Sequence, residues 1–431
     1  MNWYQQYMYS YPHKMAYRKL DEKIEDYIPY LQGRENVLYF HIPFCQSKCG
    51  YCNLFSVTGK EEWIDNYLAA MKKQSEFYKK YKFMVGELVI GGGTPLILSV
   101  KQLDMLFEIA RENFHFLTEQ YPITIETSPN QTTKEKVELL KKHHVTRVSI
   151  GVQSFMEDEL KGLHRHHHRK EIDKALYLLK EAEFPSMNID LIYGIPGQTK
   201  ESLHYSLEQA VRCLPKEIFI YPLYVKKGTY LYQNGTKTLE NTKELYWFMK
   251  EYLERNGYHQ ISMRRFIREE KKEDRSCGFE QTISIGCGGR SYMGNLHFCA
   301  PYFVKPKNCR EEIASYCNQT DFSKAVNGYL LNTEEQRRRY TIKNLLHKNG
   351  INREEYQKLY KRDVLNEWIS WEQLKTQGML DWNEQKVWLT EEGMADSDYI
   401  GPMFISEEVA KRVRAWNETN VSSFVSDTLG K

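Results

Sequence analysis

Val37-Leu38-Tyr39-Phe40-His41-Ile42 runs through Pro43-Phe44 straight into Cys45-Gln46-Ser47-Lys48-Cys49-Gly50-Tyr51-Cys52, and this stretch decides the fold. A short run of apolar, β-branched and aromatic residues reads as a buried strand. Cysteines directly behind it put reactive side chains where a strand hands over to a loop. The C-x3-C-x2-C spacing lets three thiolates hold three irons of a [4Fe-4S] cluster and leave the fourth iron open to something that is not protein. Structural zinc normally takes four ligands, often as two distant C-x2-C pairs, and no second pair follows here. Nine cysteines are an odd number, and a chain of 431 residues needs no disulfide staples. Zinc, or simple packing of small apolar side chains, stays open as the alternative.

Outward from this stretch, short apolar runs alternate with longer helical patterns, as in a parallel sheet with crossover helices. Strands are expected at Val37 to Ile42, Glu87 to Gly91, Ile123 to Thr127, Arg147 to Val152, Asn188 to Tyr193 and Ile218 to Leu223. Helices are expected near 61 to 82, 99 to 115, 133 to 144, 169 to 183 and 200 to 213. Thr132 and Glu135 have capping-box spacing at the start of the third. Ile172, Ala175, Leu176 and Leu179 form the apolar stripe of the fourth. Six βα units cannot close an eight-stranded barrel. The expected class is therefore α/β, a partial (β/α)6 TIM-type barrel, open on one side, with its chemistry at the C-terminal strand ends.

The expected organisation is a tyrosine-rich N-terminal arm over 1–35, the barrel over 36–300, a linker over 301–330 and an accessory domain over 331–431. In the last of these, Gly378 to Trp382 and Trp388 to Thr390 look like a wing following helices, so a helical, winged-helix-like unit is expected there. Composition is that of an ordinary globular protein, 41% hydrophobic and 27% charged. A net charge of +3, without a basic cluster, gives no ground for a nucleic-acid or anionic-membrane partner. With no long apolar stretch and no signal-peptide pattern, the expected location is the cytoplasm.

Several polar residues fall at successive strand ends. Gly91-Gly92-Gly93-Thr94-Pro95 closes the second strand, and glycine amides can approach a ligand closely. Glu126 ends the third strand, Gln153 the fourth, and Asp190 lies in the fifth, all in apolar surroundings where an uncompensated polar group is costly. Helix capping and strand-to-strand hydrogen bonding would explain each singly; an amino acid or nucleoside ligand suits them together. Arg165 could meet a carboxylate with its bidentate fork. His164, His166, His167 and His168 read as solvated loop residues, with metal binding as the alternative. Arg264 and Arg265 either face an acidic substrate or are solvated. Cys213, Cys277, Cys287, Cys299, Cys309 and Cys317 have no ligand-type spacing.

Tyr39 to Cys45 running into Cys49, Tyr51 and Cys52, then Gly91 to Pro95, Ser149 to Phe155 and Asp190 to Gly197, match the radical S-adenosylmethionine superfamily in order and spacing. Within it, the chain resembles the anaerobic coproporphyrinogen III oxidase (coproporphyrinogen dehydrogenase) branch over roughly residues 35 to 300. The resemblance implies that Cys45, Cys49 and Cys52 ligate a [4Fe-4S] cluster whose fourth iron takes the amino and carboxyl groups of S-adenosylmethionine. It further implies that Tyr51 flanks the adenine and Tyr39 the sulfonium. Gly92, Gly93 and Thr94 would meet the methionine moiety; Glu126, Gln153, Arg165 and Asp190 would hold carboxylate and ribose.

By the same resemblance the activity is reductive cleavage of S-adenosylmethionine to a 5'-deoxyadenosyl radical that takes hydrogen from a small-molecule or tetrapyrrole-like substrate. The outcome would be oxidation or C-methylation, with a reduced flavodoxin- or ferredoxin-type electron donor. A cluster-bearing haem chaperone is the alternative. The resemblance assigns no side-chain catalytic acid or base. Leu54 stands where the branch's authentic oxidases carry a further cysteine, and Asn53-Leu54-Phe55 looks more like the relatives that are haem chaperones or C-methylases. Ser284 to Tyr292 resembles a glycine segment that approaches the substrate or a second cofactor molecule in that branch.

Overall fold

Parallel strands buried on both faces need near-continuous apolar sequence, and the computed structural model lays seven such runs side by side. Residues 10–268, 281–368 and 370–421 are described. Tyr4, Tyr7, Tyr9, Cys277 and the final ten residues of the expected accessory domain lie outside them. The strands are β1 (Asn36–Ile42), β2 (Met84–Gly92), β3 (Ile123–Thr127), β4 (Arg147–Gln153), β5 (Ser186–Tyr193), β6 (Glu217–Pro222) and β7 (Gln281–Ile285). Their order is β7-β1-β2-β3-β4-β5-β6, with every neighbouring pair parallel. The six expected strands are all present. The seventh comes from the glycine-rich segment at 284–292, whose first residues extend beside β1.

The crossover helices are α1 (Glu61–Lys79), α2 (Val100–Asn113), α3 (Lys134–Lys142), α4 (Arg169–Glu181) and α5 (Lys200–Arg212). A full capping box starts α2, where the Ser99 hydroxyl accepts from the Gln102 amide and the Gln102 side chain accepts from Ser99 N–H. The start of α3 corrects the expected cap by one residue. Thr133 is the N-cap and accepts from the Lys136 amide, while the buried Thr132 hydroxyl donates to the Ser128 carbonyl and pairs with Thr127. The stripe Ile172, Ala175, Leu176 and Leu179 faces the core as its period requires.

Antiparallel strands extend the sheet beyond β7. Ser291–Met293, Leu296–Phe298 and Lys324–Leu330 follow in order, and Arg18–Lys23 of the N-terminal arm closes that edge by pairing with Lys324–Leu330. The arm is thus an integral strand. Residues 301–330, expected as a linker, hold the helix Pro306–Asn318 and the strand Lys324–Leu330. After residue 331, helices Thr333–Leu345, Arg353–Tyr360 and Ser370–Thr376 accompany a small antiparallel sheet of Ile351–Asn352, which lies between the first two helices, Lys386–Leu389 and Leu380–Trp382. This is a winged-helix-like arrangement, centred on Trp371 packed against Phe404. Among the described residues no helix is long and apolar enough to cross a membrane.

Candidate functional site

A cavity of about 480 Å³ opens at the C-terminal ends of the parallel strands. The cysteine loop reaches it because β1 ends at Ile42 and Phe44–Cys45 then pairs in parallel with Val57–Thr58, folding the intervening residues over the barrel mouth. Cys45, Cys49 and Cys52 all line the cavity, with Tyr51, Gly92, Gly93, Thr94, Glu126, Gln153, Arg165 and Asp190. Tyr39 does not. Its side chain shares a strand face with His41, and its hydroxyl lies 3.2 Å from His41 Nδ1.

Each thiol has a protein neighbour. Arg165 Nη1 donates to Cys49 Sγ at 3.1 Å, and Thr94 Oγ1 donates to Cys45 Sγ at 3.6 Å. Ser56 Oγ lies 3.9 Å from Cys52 Sγ. Burial, reinforced by Cys52, pushes the Cys45 thiol up to about 12; burial, with Cys49 beside it, raises Cys52. Metal binding here would therefore release protons.

The opposite wall comes from β2, β3, β4 and β5. Gly92 adopts φ +121°, and a Cβ on Gly93 would stand 2.6 Å from the Phe44 carbonyl oxygen and 2.9 Å from Cys45 Sγ. Only glycine lets this turn approach the cysteine loop so closely. Gln153 sits at φ +73° beside an irregularity in the β4–β5 register, and His164 at φ +50°. Backbone strain of this kind in non-glycine residues gathers at functional sites, and here both positions precede Arg165 in the chain. Arg165 Nη2 donates to the Gly151 carbonyl at 2.5 Å, but its Nε is buried without a hydrogen-bond partner.

Glu126 Oε2 accepts from the Gly92 amide at 3.1 Å. Enclosure by protein, then the neighbouring Asp190 charge, pushes Glu126 up to about 7, although its carboxyl opens onto cavity water that screens part of this effect. Burial pushes Asp190 up to about 6, opposed by hydrogen bonds from Asn188 (2.7 Å) and Ser149 (3.5 Å). Two carboxyls held above the usual carboxylate range, a cationic fork with an unused donor and a glycine cradle suit a ligand bearing hydroxyl, amine and carboxylate groups.

Ser149 was legible but overlooked, since it alternates with Gly151 and Gln153 on one strand face. The polar floor it makes with Asn188 supports Asp190. Lys14, Lys48, Asn130, Tyr224 and Lys226 also line the cavity, and no sequence motif marks them.

Other expectations are corrected. His167 is buried, its Nε2 lying 3.2 Å from the Val152 carbonyl, while His164, His166 and His168 are exposed. His166 also lines the cavity. Arg264 is neither solvated nor open to substrate: it forms a buried ion pair with Asp398 and donates to the Tyr224 hydroxyl. Arg265 pairs with Glu217 at 3.4 Å. The turn after β7 packs its glycines against His41, Phe55 and Tyr39 and is not among the cavity's lining residues.

Among the described residues no three His, Cys, Asp or Glu side chains converge as they would around a single metal ion. A cubane cluster makes a different demand, one thiolate per iron. Three thiols facing one cavity, with no fourth cysteine among its described lining residues, fit a cluster with one open iron.

Residues 39–210 match the family model of the radical SAM superfamily. Over these residues the chain is similar to the radical S-adenosylmethionine superfamily. Its relatives include heme chaperones and oxygen-independent coproporphyrinogen III oxidases. A heme chaperone, HemW, of Lactococcus lactis is 25% identical over 389 residues, covering 87% of this chain and 99% of that protein. The oxygen-independent coproporphyrinogen III oxidase of Escherichia coli is 31% identical over 281 residues, 61% of each chain. The solved structure of coproporphyrinogen III oxidase from Escherichia coli superposes with a TM-score of 0.78 over 92% of this chain and 96% of that one, at 22% identity. The fold is shared along nearly the whole chain, accessory unit included. The superfamily's cofactors are a [4Fe-4S] cluster and S-adenosylmethionine, and the cavity's residues fit both.

Proposed function

We propose that this chain holds a [4Fe-4S] cluster on Cys45, Cys49 and Cys52 and cleaves S-adenosylmethionine reductively to act on a small-molecule or tetrapyrrole-like substrate, by oxidation or C-methylation. The observation that carries this is the convergence of three cysteines, a glycine cradle, Arg165 and the Glu126–Asp190 pair on one cavity. When bound, the two cofactors supply a primary carbon radical capable of taking hydrogen from unactivated carbon. The chain's own residues bind, orient and exclude water. Gly92, Gly93 and Thr94 give backbone and hydroxyl contacts to the methionine moiety, and the unused Arg165 Nε offers a donor to its carboxylate. Glu126 and Asp190 accept from ribose hydroxyls, helped by their location beside Gln153 and Ser149. Tyr51 supports the adenine.

On this proposal residues 36–300 are the catalytic barrel and the region from 331 an accessory domain that completes its outer wall. A reduced flavodoxin- or ferredoxin-type protein supplies electrons, and the chain works in the cytoplasm. Anaerobic incubation with dithionite, S-adenosylmethionine and candidate tetrapyrroles should yield 5'-deoxyadenosine in a substrate-dependent way. A second reading is favoured by one observation: the relative spanning 99% of its own length on this chain carries the name heme chaperone. Stoichiometric haem binding without substrate-dependent 5'-deoxyadenosine would decide for that reading.

A further inference from the structure

Ser56 is the side chain beside the cysteines that the cofactor cavity does not use. It is 1% exposed and absent from the cavity lining, so no cofactor bound there can touch it. Three local features fix its position. The parallel register Phe44↔Val57 and Cys45↔Thr58 draws the chain after Cys52 back alongside Cys45. The Val57 amide donates to the Pro43 carbonyl at 2.8 Å. Lys48, between the first two cysteines, reaches over to donate from Nζ to the Ser56 carbonyl at 3.2 Å and the Val304 carbonyl at 3.0 Å.

This leaves the Ser56 hydroxyl 3.9 Å from Cys52 Sγ. As free thiols, the cysteines could donate to it or accept from it. As thiolates they only accept, so the hydroxyl proton must point at sulfur. Arg165 and Thr94, the side chains that donate to Cys49 and Cys45, both face the cavity and are open to competition from a bound ligand. Ser56 approaches from behind, outside the cavity lining.

We propose that Ser56 is a positioning residue that sets the cluster's reduction potential by donating a hydrogen bond to the Cys52 thiolate. A donor on a ligating sulfur stabilises the more negative, reduced state and raises the potential. The inference rests on the proposed ligand set, and its test separates the two. Full-length protein reconstituted anaerobically with iron and sulfide is titrated potentiometrically without S-adenosylmethionine, the reduced cluster being followed by electron paramagnetic resonance. Wild type that takes up no iron-sulfur cluster refutes the ligand assignment itself.

Ser56→Ala should load iron as wild type does but show a ratio of reduced to oxidised cluster about tenfold lower at any fixed potential, a shift of about 59 mV to the negative side for one electron. In D2O the iron–thiolate stretching bands in resonance Raman should shift in wild type and less in Ser56→Ala. A fully loaded Ser56→Ala with the wild-type midpoint overturns the proposal. Should Ser56→Ala fail to load, Ser56→Thr, which keeps the hydroxyl, is decisive. Normal loading with a wild-type midpoint and the D2O shift supports the hydrogen bond; a changed midpoint or no D2O shift overturns it.

Discussion

The cavity at the strand ends and the face where the accessory unit docks both gather arginines and carboxylates, and they treat them in opposite ways. At the docking face Arg264 pairs with Asp398, and the Tyr224 hydroxyl donates to Asp398 at 2.5 Å while accepting from Arg264. In the cavity, Glu126 and Asp190 lie near each other with like charge, and Arg165 keeps a buried Nε without a partner. A buried ion pair with all its hydrogen bonds made is architecture. Polar groups gathered around a cavity and left incomplete are a site, waiting for a ligand to complete them.

Substitutions in the two regions should therefore fail differently. Cys49→Ala gives the largest effect: a colourless protein after anaerobic reconstitution that forms no 5'-deoxyadenosine, with the docking face and thermal stability intact. A brown, active variant would remove Cys49 from the ligand set. Asp398→Ala leaves Arg264 buried and uncompensated, and should cost about 3–5 kcal/mol of stability in urea unfolding while the cysteines still load iron. Unchanged stability would show that the docking face does not depend on this pair.

Glu126→Gln keeps the acceptor for the Gly92 amide but removes the charge. It should weaken S-adenosylmethionine binding by about tenfold or more, the worth of a charge-assisted hydrogen bond, without destabilising the fold. Equal affinity in equilibrium dialysis would move the ribose contacts elsewhere.

The last effect concerns acid. Burial, then the charge of Arg165, pushes His167 down to about 3. A lowered folded-state value means the unfolded chain takes up the proton first. Its contribution is thus fully present above the ordinary histidine range near pH 6.5 and is lost as pH falls from there towards 3. Between pH 7 and pH 5, His167→Gln should lose about 2 kcal/mol less stability than wild type. Parallel losses would mean that His167 is not held neutral.

The same contrast explains what could be read from sequence. Strands and crossover helices were legible because apolar period and length are local properties, and the cysteine loop because its spacing is chemistry in itself. At Thr132 and Thr133 two adjacent hydroxyls competed for one cap, and spacing alone does not show that Thr132 is drawn inward to Thr127. The arm and the supposed linker could not be recognised as partner strands, since Arg18 meets Gly328 only after the whole barrel has folded between them. Arg264, Asp398 and Tyr224 were illegible for the same reason: three residues with no motif become one unit through distant packing. Ser149 was the recoverable miss, one alternation away from Gly151.

The central claim is that the metal centre on the cysteine loop keeps one iron for S-adenosylmethionine. Electron paramagnetic resonance of the anaerobically reconstituted, dithionite-reduced chain, recorded with and without S-adenosylmethionine, tests it most directly. A [4Fe-4S] signal whose g values move on adding S-adenosylmethionine is the predicted result. A centre containing zinc, or an iron-sulfur signal indifferent to S-adenosylmethionine, would contradict it.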